Sequence, residues 1–483
     1  MDSKKIPQLP LWKAVLPILI LIILLFYNVV YVFGDSALNG SNQFILLFVA
    51  AIAGILGLSE QVSYHTIVRS IKKQISTTSE ALLILLMVGA LTGTWLSSGV
   101  IPTMVFYGLG ILNAKIFLVA CIFISIIVSI ATGSSWTTSA TVGIALIGIA
   151  KTLQIPVGMA AGAILSGAYF GDKLSPLSDT TNLAATIAGT DLYTHIKYML
   201  WTTIPSITIT ILFFVITGFT IDVADTITTE ALETDLQSAF NISGWLLLVP
   251  LSVLVLIVKK VPPLISLLIG ALVGGMVTCI AQPQILLHIA GTDEFDFYTA
   301  YKGVMIALTE NISIPTENKL LQDLFSASGM AGMLGTVWLI ICAMVLGGTL
   351  QAIGALATLS NAILKVAKGT GALIASTCGI TIITNVTASD QYLSIVVPGK
   401  MFKKAFKKQG LAPENLSRTL EDSGTVTSVL IPWNTCGAYH SETLGVSVFD
   451  YLFFAVFNWV SPIMTLIFAV FGIKIKQLAR KNG

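Results

Sequence analysis

Residues 14–33 run for twenty positions without a charged side chain. That is about the length an α-helix needs to cross the hydrocarbon core of a bilayer. Runs at 116–132, 202–221 and 451–473 repeat the pattern. Composition removes the soluble alternative: 10% of the 483 residues are charged and 55% are hydrophobic, against about 25% charge in ordinary soluble domains. In lipid the backbone must satisfy its own hydrogen bonds, which leaves helices or closed barrels, and apolar runs of this length select helices. The expectation is an all-α polytopic membrane protein with roughly 11–13 transmembrane segments. The first run follows Lys4, Lys5 and Lys13. It is too long for a signal-peptide core and no small-residue cleavage site follows, so it reads as a retained anchor helix.

Short basic loops mark the cytoplasmic face. Here they hold Arg69, Lys72 and Lys73, then Lys259 and Lys260, Lys365 and Lys368, the cluster 400–408, and the tail beyond Lys474. The stretch 219–243 carries Asp222, Asp225, Glu230, Glu233 and Asp235 with no Lys or Arg, and 291–332 carries six acids against Lys302 and Lys319. Both are expected outside, with both termini in the cytoplasm and the protein in the cell (plasma) membrane. The expected organisation is an anchor helix at 1–42, a first transmembrane repeat at 43–218, an external acidic loop at 219–243, a second repeat at 244–473 with an external loop at 284–332, and a cytoplasmic tail at 474–483.

Several apolar segments are interrupted. TGSSWTT begins at Thr132 and GDKLSPLSDTTN at Gly171; TNVTASD begins at Thr384 and EDSGTVTSVLIPWN at Glu421. Thr132 and Asp172 are 40 residues apart, Thr384 and Asp422 are 38 apart. Interrupted helices at corresponding places in two halves point to inverted repeats, with discontinuous helices and re-entrant hairpins around a midplane site.

Within GDKLSPLSDTTN, Asp172 and Asp179 lie between strongly apolar stretches. An intramembrane carboxylate costs about 3 kcal/mol on insertion scales, so it needs a partner, a cation or water. Pairing of Asp172 with Lys173 at a membrane surface is the plain alternative. Pro176 suits the first turn of a new helix with Ser175 as its N-cap. Carboxylates, hydroxyls and amides are hard oxygen donors for a small hard cation. The candidate cation and proton site therefore takes Asp172, Asp179, Thr180, Thr181 and Asn182, with Ser135 and Thr137 from TGSSWTT. From the second half it takes Asn385, Thr387, Asp390, Asp422, Thr425 and Asn434. Sodium itself is assigned to Asp179, Asn182, Asn385 and Asp422. A carboxylate that holds either a proton or a sodium ion is the least an exchanger requires. Glu421 and Asp422 have a structural alternative in pairing with Arg418, and the TGSSWTT hydroxyls in bonding back to their own helix.

No G-x-x-x-x-G-K-[ST] occurs, so no nucleotide-driven pump is read here. The five cysteines are single and scattered, and the four histidines show no ligand spacing. His65 and His195 are expected in cytoplasmic loops. Only three arginines occur, none in a span, which favours a cation over an anion held by a basic clamp. No enzyme activity, cofactor or nucleic acid is expected; the partners are membrane lipid, sodium and protons.

The run SGAYFGDKLSPLSDTTNLAA (166–185) resembles the signature of the NhaC-type sodium/proton antiporters, a branch of the ion transporter superfamily. GSSWTTSATVGIALIGIA (133–150) and LEDSGTVTSVLIPWNTCGAY (420–439) resemble other stretches of that family. The resemblance implies a secondary active transporter exchanging sodium for protons by alternating access, with inverted repeats and a possible homodimer. The family also includes a sodium–lactate/malate–proton antiporter, so a sodium-coupled organic-acid exchanger stands as the alternative. A channel is less compatible with two unlike halves in one chain.

Overall fold

Helices account for nearly all regular structure, as a bilayer solvent requires. The computed structural model describes residues 9–34, 37, 40–111, 114–220, 229–316, 318–322 and 324–478. Asp222 and Asp225, Lys4 and Lys5, and Arg480 and Lys481 lie outside them. Eight helices among the described residues are long and apolar enough to cross a bilayer, and a pair at 232–239 and 244–258, bent by 85°, makes nine. Beyond that count stand two broken helices, each a crossing shared between two pieces, and the shorter apolar helix Val456–Val470. The loop at 284–332 is not irregular: it carries the helix Phe297–Thr309 and a small antiparallel pair, Ile312–Ser313 with Ser326–Ala327.

Each half holds a helical hairpin followed by a broken helix. In the first half Ala114–Thr132 runs to a turn at Gly133, and the chain returns through 135–152 with a π-helical stretch at Ser139–Gly143. The broken helix follows as Val157–Leu174 and Asp179–Ala188. In the second half Thr370–Ala388 and Gln391–Lys408 form the hairpin. Its broken helix runs from Pro413 through a π-helical stretch at Glu421–Thr425 and a 3₁₀ turn to Leu430, then resumes as Thr435–Leu444.

The hairpins enter from opposite sides. The straight helix Leu192–Thr220 has 29 residues, about 43 Å at 1.5 Å per residue, so its ends lie on opposite membrane faces. Just before its start, Gly189 packs against Lys403 of the second hairpin's open end; near its finish, Gly218 packs against the carbonyl of Lys115 at the first hairpin's open end. Gly158 meets Asp450, and Gly371 meets Ala469. The two broken helices therefore run antiparallel, and the halves are inverted relative to one another.

Small residues permit the closest contacts. A Cβ on Gly171 would lie 2.5 Å from the Ser129 Cβ, so the broken helix reaches the hairpin arm only because glycine is there. Side chains such as Ile127, Ile216 and Ile280 point outward, 64–75% exposed, as lipid-facing residues do.

Candidate functional site

The turns that interrupt these helices are built by local chemistry. Gly133 has φ +71° and Ser389 φ +56°, so a left-handed residue turns each hairpin tip. Glycine takes that conformation without strain; serine does so at a cost. Four helices then restart on side-chain caps. Ser134, Ser178, Asp390 and Asn434 accept hydrogen bonds from the backbone N–H groups of Thr137, Thr181, Leu393 and Cys436. This corrects the expected register of the first break. Ser175 is the last residue's cap on Val157–Leu174, and the new helix starts three residues later on Ser178.

Each tip seats on the break of its own half. Gly133 lies against Leu177 and Ser178, where a Cβ would come within 2.7 Å of the Leu177 carbonyl carbon. Asp172, 6% exposed, joins the two elements. Its Oδ2 accepts from the Ser135 N–H at 3.2 Å and the Ser135 hydroxyl at 2.8 Å, and its Oδ1 accepts from the Ser178 hydroxyl at 2.6 Å. In the second half the Ser389 carbonyl accepts from the Thr435 N–H at 3.0 Å. The Asn434 amide donates to the Asn385 carbonyl at 3.1 Å and to its side-chain oxygen at 3.2 Å. Asn385 in turn donates to the Gly424 carbonyl at 2.6 Å and the Thr427 hydroxyl at 3.1 Å.

A cavity of about 570 Å³ opens between the tips and the helix Tyr64–Ser97. Asp172, Asp179 and Asp390 reach its wall, with Thr137 and Thr180 beside them and Trp136 and Tyr439 at one end. Among the described residues, Glu80 and Lys260 are its other charged liners. Four carboxylates against one ammonium make it a cation-attracting space.

The remaining sequence-derived residues lie elsewhere. Thr181 is buried, its hydroxyl donating to the Lys173 carbonyl at 3.0 Å. Asn182 is exposed and closes the break by donating to the Pro176 and Ser178 carbonyls. Thr387 bonds back to Ile383 within its helix. Thr425 is buried without a well-formed hydrogen bond. Asp179, Asn182, Asn385 and Asp422, the four assigned to sodium, are not gathered. Asp179 faces the cavity, while Asn385 and Asp422 sit in separate buried networks.

Lys173 is the residue sequence reasoning misplaced. Successive helical side chains point about 100° apart, as 3.6 residues per turn requires, so Lys173 turns away from Asp172. Its ammonium pairs with Asp422 of the second half, both side chains 0% exposed. Ser461 lies 3.2 Å from the ammonium and 3.5 Å from Asp422, and the Thr465 hydroxyl donates to Asp422. Arg418 is not the partner of Asp422: its guanidinium stacks 4.6 Å from the Tyr198 ring. Glu421, beside Asp422, is fully buried, and neither oxygen has a well-formed hydrogen bond, with Thr425 and Lys173 in its surroundings. His195, expected in a loop, is instead 0% exposed near Lys173 and Asp422, with neither ring nitrogen hydrogen-bonded. The sequence signal for this cluster was available: an intramembrane Lys one residue after an intramembrane Asp cannot share its direction.

Inverted hairpins, broken helices and an acidic cavity at their meeting point define a polytopic membrane transporter. Residues 167–473 match the Na+/H+ antiporter family, and the chain belongs to it. It is 38% identical to the Na(+)/H(+) antiporter NhaC of Alkalihalophilus pseudofirmus over 89% of this chain and 91% of that one. It is 35% identical to the NhaC of Bacillus subtilis, over 84% and 86%. It is also 37% identical to the malate-2H(+)/Na(+)-lactate antiporter of Bacillus subtilis, over 87% of both chains.

Proposed function

We propose that this protein exchanges sodium for protons across the cell membrane by alternating access, with the cation bound in the 570 Å³ cavity. The observation that carries the reading is Asp172: a buried carboxylate at the junction of hairpin tip and helix break, reaching the wall of an acidic cavity. Asp172, Asp179 and Asp390, with the hydroxyls of Thr137 and Thr180, supply hard oxygen donors suited to a small cation. A carboxylate so placed holds either the cation or a proton, and that exclusion couples the two fluxes. The exposed Asp179 recruits; Asp172, fixed by Ser135 and Ser178, binds.

The same cavity is lined by Lys260 and Pro262 of a basic loop. By the excess of Lys and Arg in cytoplasmic loops, this cavity opens to the cytoplasm and both termini lie on that side.

Everted vesicles carrying a pH-gradient dye test the reading. Sodium-dependent dequenching is expected in the wild type, absent in Asp172→Asn, and shifted to several-fold higher sodium in Asp179→Asn. Unchanged exchange in Asp172→Asn would overturn the site.

A second reading, sodium-coupled organic-acid exchange, is favoured by the relative that carries malate and lactate and by a cavity within the 300–1,000 Å³ usual for small-molecule ligands. The four carboxylates facing Lys260 weigh against an anion there. Sodium-driven uptake of labelled malate supports it; full sodium/proton exchange without organic acid counts against it.

A further inference from the structure

A second cavity of about 520 Å³ lies between the helix Tyr64–Ser97, the return arm of the first hairpin, the small strand pair and the end of Thr435–Leu444. We infer that it is the opposite half of the same ion path, and that Glu442 is the carboxylate at which a cation is taken up or released on that side. The identity of the ion rests on the antiport reading above; the serial arrangement of the cavities does not.

Three helices line both cavities, each with one stretch on either side. Along Tyr64–Ser97, Thr77, Glu80 and Ile84 face the first cavity, and Val88, Thr92 and Leu96 the second. Along 135–152, Trp136 and Thr137 face the first, and Ile144 and Lys151 the second. Along Thr435–Leu444, Thr435 and Tyr439 face the first, and Glu442 and Thr443 the second. At 1.5 Å per residue, Thr77 to Leu96 covers about 28 Å, close to the roughly 30 Å of a hydrocarbon core. End to end, the two cavities therefore span the apolar layer.

What separates them is thin. Tyr439 to Glu442 is about 5 Å along the helix and Ile84 to Val88 about 6 Å. The partition is the indole of Trp136 stacked on Tyr439, with ring centroids 4.0 Å apart and planes within 14°. The Tyr439 hydroxyl donates to the Trp136 carbonyl at 3.1 Å. Behind it, Ser139 and the Nδ1 of His440 lie 2.8 Å apart. Trp136 and Ser139 belong to the first hairpin, Tyr439 and His440 to the second broken helix. Relative movement of the two halves parts these contacts and passes the ion from one cavity to the other, with only one cavity open to its face at a time.

Glu442 is the acidic liner of the second cavity among the described residues, and Lys151 the basic one. Its Oε2 accepts from the Thr336 hydroxyl at 2.8 Å. One residue on, Thr443 is 5% exposed, lines the same space, and its hydroxyl lacks a well-formed hydrogen bond. A carboxylate with this hydroxyl beside it supplies hard oxygen donors for a dehydrating cation.

Two measurements test this. In a Cys279→Ser background, which removes the one partly exposed thiol, Thr77→Cys and Thr92→Cys are treated with a membrane-impermeant thiol reagent in vesicles of each orientation. Thr77→Cys should label from one face and Thr92→Cys from the other. Labelling of both from the same face, or of Thr92→Cys from neither, overturns the serial path whatever ion is carried. Glu442→Gln should then raise half-saturating sodium several-fold when sodium is offered on the Thr92 face, and leave it unchanged on the Thr77 face. An equal effect on both faces, or none, overturns the role of Glu442. Failure of the antiport reading would show instead as wild-type vesicles without sodium/proton exchange but with the two-sided labelling intact.

Discussion

Neutralising one member of the Lys173–Asp422 pair should destabilise the protein more than removing both. Both side chains are 0% exposed and link the two halves. Removing one partner of a buried pair leaves an uncompensated charge, at about 3–5 kcal/mol, whereas exchanging both for apolar groups of similar volume is often neutral or stabilising. Asp422→Asn leaves the Lys173 ammonium the Ser461 hydroxyl, a Phe457 ring 5.7 Å away and Glu421 nearby. Lys173→Met leaves Asp422 two hydroxyl donors, Ser461 and Thr465, but sets it beside Glu421 with no cation between them. Both singles are expected within that range. At about 1.4 kcal/mol per decade these losses shift the unfolding equilibrium by roughly 10²- to 10⁴-fold. Reversible unfolding in mixed detergent micelles, titrated with sodium dodecyl sulfate, reads these singles, the single Asp422→Leu, and the double Lys173→Met/Asp422→Leu that closes the cycle. The double should recover most of the loss, giving a large coupling in the cycle. Single losses below about 1 kcal/mol, or a double equal to the sum of the singles, would refute the account.

Gly133→Ala should lose at least about 1–2 kcal/mol in the same titration, from the left-handed backbone alone, and more because its Cβ meets Leu177; wild-type stability would contradict the tip geometry. Ser389→Gly, at the matching tip with φ +56°, should stabilise by up to about 1 kcal/mol, and a loss would mean the serine side chain is needed. Asn385→Leu takes the amide donor from the Gly424 carbonyl and the Thr427 hydroxyl and leaves the Asn434 amide only the backbone carbonyl of residue 385, about 1–3 kcal/mol for each buried group left unpaired; thermal unfolding in detergent checks it. His195→Leu removes a buried ring with no hydrogen bonds, so stability should hold or rise, and loss of exchange at full stability would give His195 a part in proton movement.

The fold class was legible because lipid permits few solutions. Uncharged runs such as 14–33 admit only a helix, and polar interruptions inside apolar stretches mark where backbone must be exposed to something other than lipid. All four interruptions are helix breaks in the structure, at Gly133, the stretch before Ser178, Ser389 and the stretch before Asn434. The pairing of the pieces was less legible, since hydropathy treats each apolar run as independent and does not say which two share one crossing. The first break was misread by three residues because Ser175 and Ser178 both offer caps, and packing of Gly133 against Leu177 and Ser178 favours the latter.

What the sequence by itself determined is a multi-span helical membrane protein with acidic and hydroxylic residues concentrated at four interruptions in two halves. Those features follow from local chemistry: hydropathy, glycine and cap residues act within a few positions of themselves. Tertiary structure alone decided which of those residues meet. It turned Lys173 from its neighbour Asp172 to Asp422, nearly 250 residues on. It buried His195 beside them, left Asp172, Asp179 and Asp390 around one cavity, and set Glu442 in another. Helical rotation and inter-half packing fix these directions, and neither is written in the spacing of residues along the chain.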